Sequence, residues 1–291
     1  MPAVSTLPDT CVLVLSCPDC KGIVSAVSTL LTRHDATILE SKQFNDALLD
    51  RFYMRVVFRA DGARFPGLAE LRERFAPLAA ELRMSWRMES STQKARVLIA
   101  VSKFGHCLLD LLHRWRAGLL PVEVVGVVSN HQTWQSTVEW HGIPFHHLPV
   151  SPDNKPAQEA RLRELFGELR IDLLVLARYM QILSPQLCRD LAGRCINIHH
   201  SFLPSFKGAR PYHQAYERGV KIIGATAHYV TEDLDEGPII EQSVERVDHE
   251  HTPARFQEIG ADLETIVLSR AVRWHVEHRV VVEGRRTVVL T

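Results

Sequence analysis

The chain has 291 residues, enough for one large domain or two moderate ones, each with a buried core. Its apolar share of 46% and charged share of 23% are those of a globular protein, which excludes disordered, collagen-like and coiled-coil classes. Lys plus Arg number 34 and Asp plus Glu number 34, so no net field draws the chain to nucleic acid or an anionic membrane, and a substrate must be recognised locally. No apolar run approaches the roughly 20 residues of a membrane span, and no positive charge precedes the apolar residues 12–15 as a secretion signal requires. The six cysteines, Cys11, Cys17, Cys20, Cys107, Cys188 and Cys195, are spread through a chain too large to need staples. The expectation is a cytoplasmic protein with reduced thiols.

Residues 11–15 form a short apolar run with β-branched members, ended by the turn signal Pro18-Asp19, and are predicted to be a strand. Ile23, Val24, Val27, Leu30 and Leu31 then recur at helical spacing, and this stripe is expected to be core. A weaker strand is predicted near residues 38–44. In residues 52–58, Phe52, Met54, Val56 and Phe58 alternate with Tyr53, Arg55 and Val57, which reads as a strand whose two faces differ in burial. Leu68, Leu71, Phe75 and Leu78 mark a second helix, with Pro77 weakening its last turn. Met84, Trp86 and Met88 alternate as a final strand. The order βαββαβ is a ferredoxin-like split unit, placed at residues 1–88.

Residues 89–94 are polar without an apolar period and are the expected linker. A second domain, residues 95–291, follows. It opens with a strand at 97–101 and a helix carrying Leu108, Leu111, Leu112 and Trp115. A strand at 122–128, a helix ending at Gly142, a helix over 157–169 and an apolar strand at 173–176 come next. Strands alternating with helices imply a Rossmann-like α/β arrangement with a mainly parallel sheet covered on both sides. A long helix over 253–276 precedes a hairpin around Glu283-Gly284.

The chemistry concentrates in residues 195–204. Side chains alternate along a strand, so Asn197 and His199 share one face and Ile196 and Ile198 the other. A loop over 205–211 follows, as at a strand's carboxyl end, where open α/β sheets bind ligands. A second strand, residues 222–230, carries His228 and leads to Thr231-Glu232-Asp233-Leu234-Asp235-Glu236-Gly237-Pro238, whose Gly-Pro end limits its freedom. Asp235 on that loop is expected to reach His199 across the sheet top. Asn, His and Asp suit acyl chemistry at an amide. Preorganised donors steady the charge that develops on the carbonyl oxygen, and a His near pH 7 moves the proton that the leaving nitrogen needs. Nothing in this set requires a metal.

Asn197-Ile198-His199 with Ser201-Phe202-Leu203-Pro204-Ser205-Phe206-Lys207-Gly208, and later His228-Tyr229-Val230 with Leu234-Asp235-Glu236-Gly237-Pro238, resembles the formyltransferase family that uses 10-formyltetrahydrofolate. Within it, His199-His200-Ser201 and residues 208–219 are most similar to the deformylase branch, which hydrolyses the formyl group to formate. Cys17-Pro18-Asp19-Cys20-Lys21-Gly22 is similar to the amino-terminal ACT domain of that branch. The resemblance implies that Asn197, His199 and Asp235 are catalytic. It also implies that Met180, Gln181, Ile182 and Leu183, with Val230, Thr231 and Glu232, line a pterin pocket largely through backbone and apolar groups. The family commonly has a basic residue where this chain has Gln181. The folate is substrate, so no cofactor is expected. An amino-acid effector at the ACT-like domain and a homo-oligomer are implied partners, with purine supply and the balance of one-carbon folates as the setting. Transferases acting on glycinamide ribonucleotide carry a glycine-rich, phosphate-cradling turn after the first strand of this domain. Ser102-Lys103-Phe104-Gly105-His106 stands there instead, which favours hydrolysis over transfer.

Other readings compete with these. Asn197 and His199 also fit satisfied polar groups on a sheet, and the Asp235 loop tips the balance. His200, His213 and His228 fit either orienting groups behind the three or structural histidines, His228 being the strongest. Cys17 and Cys20 form a pair at zinc-ligand spacing without a second pair, and turn chemistry explains the segment better. His146, His147, His249 and His251 are expected at the surface. The alternatives to hydrolysis are formyl transfer to an amine and an amino-acid sensor that binds folate without turnover.

Overall fold

The computed structural model describes residues 10–60, 62–204 and 211–291, which fall into two compact units. The first comprises Met1–Lys94 together with Glu277–Val281 and Val288–Thr291, and the second comprises Ala95–Val276 with Val282–Thr287. The carboxyl-terminal hairpin, which the sequence reading kept whole within the second domain, is thus divided between them. The expected loop at residues 205–210 lies outside the described residues.

In the first unit, strand β1 (Thr10–Pro18) leads through Gly22 at φ 95° to helix α1 (Ile23–Arg33). Strands β2 (Thr37–Asp46) and β3 (Arg51–Arg59), helix α2 (Leu68–Glu81) and strand β4 (Ser85–Ser90) follow. The sheet order β2-β3-β1-β4, antiparallel throughout, is the ferredoxin-like arrangement. Ile23, Val27 and Leu31 of α1 and Leu71, Phe75 and Ala79 of α2 pack on Leu13, Leu15, Met54, Val56 and Met88. Val24, expected in this core, is exposed.

Two further expectations need correction, and a third holds through its weak turn. On β3 both faces are buried, Tyr53 and Arg55 included, because Arg55 is held on the far face. It donates to the Glu277 carbonyl oxygen at 3.0 and 3.1 Å and to Glu40 at 2.7 Å. Helix α2 carries Leu78 as expected and keeps its last turn past Pro77, with Phe75 and Ala79 buried on either side of the proline. Glu89 and Ser90, expected in the linker, pair with Val12 and Cys11 as the end of β4.

The second unit runs β5 (Ala95–Val101), α3 (His106–Arg116), β6 (Val122–Ser129), α4 (Gln135–Trp140), β7 (Phe145–His147), α5 (Lys155–Glu168) and β8 (Leu173–Leu176). It continues with α6 (Pro185–Asp190), β9 (Cys195–His199), α7 (Pro211–Glu217), β10 (Ile222–Tyr229), β11 (Ile239–Arg246) and α8 (Pro253–Val276). The hairpin β12 (Val280–Glu283) and β13 (Arg286–Val289) ends the chain. The seven-stranded sheet is ordered β11-β10-β9-β8-β5-β6-β7. Its five strands from β9 to β7 are parallel, and β10 and β11 are antiparallel additions at the β9 side. Chain order reverses between β5 and β8, a switch point at whose carboxyl ends a crevice opens. Apolar runs such as Leu173, Leu174, Val175 and Leu176 are buried on both faces because helices cover both. In α8, Phe256, Gly260, Leu263, Val267 and Ala271 recur at helical spacing along the buried stripe. No helix among the described residues is long and apolar enough to cross a membrane.

Candidate active site

The site lies where β9 ends. Strand β10 runs antiparallel beside it with His228 opposite Asn197 and Thr226 opposite His199. This register sets an amide against an imidazole, and Asn197 Nδ2 lies 3.3 Å from His228 Nε2. His228 Nδ1 lies 2.9 Å from the Tyr229 carbonyl oxygen, which can only accept, so Nδ1 carries a proton. The Asn197 amide nitrogen has two N–H groups, and one can serve a ligand. The exit from β9 is tied down by Thr226, whose Oγ1 donates to the Ser201 carbonyl oxygen at 2.9 Å and accepts from Leu203 N–H at 3.1 Å.

The loop after β10 is drawn back on the strand. Tyr229 N–H donates to the Pro238 carbonyl oxygen at 3.0 Å, and Val230 N–H donates to that of Cys195 at 2.9 Å. Gly237 makes the return possible, since a Cβ there would stand 1.7 Å from the Tyr229 oxygen. Asp235 adopts φ 57° and sets its carboxylate between two imidazoles, Oδ2 at 3.3 Å from His199 Nδ1 and Oδ1 at 3.6 Å from His228 Nε2. A non-glycine residue in this conformation is strained, and such strain gathers at functional sites. Burial pushes the Asp235 carboxyl up, but hydrogen bonds from His199 and His228 and their charge outweigh it and hold the group well below the usual carboxylate range. Burial, followed by the Arg178 and His199 charges, pushes His200 down to about 3, which keeps it neutral at pH 7. His199 Nε2 is buried and has no hydrogen-bond partner among the described residues.

The opposite wall follows β8. Ser102 fixes it by donating its N–H to the Arg178 carbonyl oxygen at 3.2 Å and accepting Met180 N–H on Oγ at 3.0 Å. Ser184 caps α6 and donates its N–H to Glu159 at 2.8 Å, while the Tyr179 hydroxyl accepts from Gln158 at 2.9 Å. Between the walls is a cavity of about 320 Å³, within the range of small-molecule sites. Asn197, His199, Asp235, His228 and His200 line its polar end. Met180, Gln181, Ile182 and Leu183 line one side, and Val230, Thr231 and Glu232 the other. Met180 and Ile182 are 51% and 61% exposed, an apolar surface that a flat ring could cover.

Other sequence expectations fall elsewhere. His213 is exposed, near Gln257. His146, expected at the surface, is half-buried in β7 with Nε2 buried against Gly126. Cys17 is buried and Cys20 exposed, and the turn between them is held by Asp19 N–H donating to the Asp50 carbonyl oxygen at 3.0 Å.

A charged cluster beside the cavity escaped the sequence reading. Glu264 of α8 is 1% exposed and receives His106 Nε2 at 2.7 Å and the Tyr212 hydroxyl at 2.8 Å, with Arg178 Nε at 3.4 Å. Its signal is a carboxylate on the apolar stripe of α8, one turn before Val267 and Leu268. His106, Cys107 and Glu264 have ligand atoms within 4.8 Å of one another. Burial holds the Cys107 thiol protonated and the Arg178 cation sits alongside, so the set is an ion-pair cluster rather than a metal site.

Residues 95–272 match the formyl transferase family. A formyltetrahydrofolate deformylase from Corynebacterium sp. (strain P-1) is 56% identical over 280 residues, covering 96% of this chain and 97% of that protein. The solved structure of a formyltetrahydrofolate deformylase from Pseudomonas syringae pv. tomato is 50% identical with TM-score 0.95, covering 99% of this chain and 96% of that one. The solved glycinamide ribonucleotide transformylase 1 from Symbiobacterium toebii is 32% identical with TM-score 0.64. It covers only 68% of this chain though 95% of its own.

Proposed function

The chain belongs to the formyltetrahydrofolate deformylase family, and we infer from that premise and from the site that it hydrolyses 10-formyltetrahydrofolate to tetrahydrofolate and formate. The observation that carries the reading is the Asp235 carboxylate beside His199 Nδ1, with His199 Nε2 buried and unpartnered at the cavity.

In this reading the pterin lies along Met180, Ile182 and Leu183 and meets Val230, Thr231 and Glu232 from the facing loop. The formyl carbonyl points to Asn197 and His199. Water adds to the carbonyl carbon, and the oxyanion is steadied by the free Asn197 N–H and by protonated His199; one such donor is worth about 100- to 1,000-fold in rate. The C–N bond then breaks as His199 or a water relay gives the nitrogen its proton. Asp235 keeps His199 in place and orients the attacking water. His228 and His200 touch no reacting atom; His228 positions Asn197 and Asp235. The turn Ser102-Lys103-Phe104-Gly105-His106 offers one glycine and an exposed Phe104, a poor cradle for a phosphate-bearing acceptor.

The remaining parts of the reading rest on the family. The first unit serves as an ACT-like regulatory domain that binds an amino-acid effector and supports a homo-oligomer. The enzyme works in the cytoplasm, where it balances one-carbon folates and supplies formate for purine synthesis. Formate release from 10-formyltetrahydrofolate without any amine tests the activity. Release only when an amine is added would mean transfer, and folate binding with no release would mean a sensor.

A further inference from the structure

The proposed steps leave one buried cation of the cavity unused. Arg178 follows β8 at φ 63°, its side chain is 10% exposed, and it lines the same cavity as His199 and His200. Its Nη1 is buried and has no hydrogen-bond partner among the described residues. Buried donors are almost always satisfied, and a charged one left unpaired is costly, so Nη1 marks a place where an acceptor belongs. Glu264 meets the guanidinium only in part, since its oxygens also receive His106 and Tyr212. His200 beside it, held neutral by burial and by Arg178 itself, brings no negative charge to the guanidinium. His199 Nε2, in the same cavity lining, is unpartnered among the described residues as well. Arg178 and His199 both line the cavity, and each holds a buried nitrogen without a hydrogen-bond partner among the described residues, one of them on a permanent cation. The missing acceptor is a small anion.

Building on the hydrolytic reading, we propose that Arg178 Nη1 and the His199 imidazole form a subsite for a one-carbon carboxylate, the product formate. Water oxygen bonds to the formyl carbon and the C–N bond breaks with a proton going to nitrogen. The formic acid left behind passes its proton to His199, and the resulting carboxylate lies between imidazolium and guanidinium. Glu264, His106 and Tyr212 are positioning residues for Arg178. Gly260 lets the tyrosine in, since a Cβ there would stand 2.0 Å from its hydroxyl.

Inhibition of folate hydrolysis by added sodium formate, at ionic strength fixed with sodium chloride, tests the subsite in the full-length enzyme. In Arg178→Met the inhibition constant for formate is expected to rise about 10- to 100-fold, the range of a hydrogen bond to a charged group. Arg178→Lys keeps a charge opposite Glu264 and so protects the fold, and a smaller rise is expected there. An unchanged constant in either active variant, or a wild-type enzyme indifferent to formate, overturns the proposal. If Arg178→Met does not fold, Arg178→Lys decides alone. A wild-type enzyme that releases no formate would instead sink the hydrolytic reading itself.

Discussion

Asp235 Oδ2 stands 3.3 Å from His199 Nδ1, so the carboxylate fixes that nitrogen as the donor and leaves Nε2 without a partner among the described residues. On the proposed roles, Asp235→Asn keeps the shape and removes the charge. It is expected to lower kcat for formate release about 100- to 10,000-fold with little change in KM. His199→Ala should cost a similar factor. Because the two side chains act as one device, the double variant should be no slower than the worse single one; multiplied losses would show that they act separately.

Gly237 makes a different test, since it touches no substrate in the proposed reading. A methyl at this position would stand 1.7 Å from the Tyr229 carbonyl oxygen, so Gly237→Ala must push the loop away from β10 and carry Asp235 with it. The expected outcome is a loss of kcat of at least tenfold, with destabilisation of about 1–3 kcal/mol from overpacking. Wild-type turnover from this variant, read beside its urea midpoint, would show that the loop need not lie against the strand for Asp235 to work.

The polar end of the cavity was legible because strand alternation put Asn197 and His199 on one face and the Gly237-Pro238 stop bounded the reach of Asp235. Long elements were legible for the same reason: α8 shows its period over 24 residues. Some short ones were not. Helix α6 has six residues and strand β7 has three, too few for a period to stand out. Strand β11 escaped because it is a polar edge. The Arg178–Glu264 cluster depends on residues 86 positions apart in the chain, and nothing local pairs them. Burial of Arg55 on β3 has the same origin, since its cover comes from Glu277 near the chain's end.

Ile182 tests the wall of the cavity. It is 61% exposed, so its apolar surface is available for a flat ring to cover. Ile182→Ala is expected to raise KM for the folate about tenfold, on the order of 1.4 kcal/mol of lost apolar burial, with kcat nearly unchanged. A fall in kcat at constant KM would assign Ile182 to the chemistry instead of the wall.

His200 sets an acid dependence of stability whose sign follows from its downward shift. The unfolded chain takes up a proton at this residue as pH falls below 6.5, whereas the folded chain does so only near 3. Stability therefore drops as pH falls through this window, by at most about 1.4 kcal/mol per pH unit. Asp235 adds a loss of the same sign at lower pH, since its folded value lies below the ordinary 3.8: its stabilisation is present above that pH and disappears as pH falls through the folded value. His278 in the first unit, pushed down to about 4 by burial and then by Arg87 and Arg55, contributes in the same direction. His200→Asn should flatten the slope of stability between pH 6.5 and 4, leaving the part due to His278 and to His146 and His141, which burial also shifts down. Urea midpoints at pH 4, 5, 6 and 7 measure it, and a slope as steep as that of the wild type would mean that the folded chain already protonates His200 in that range.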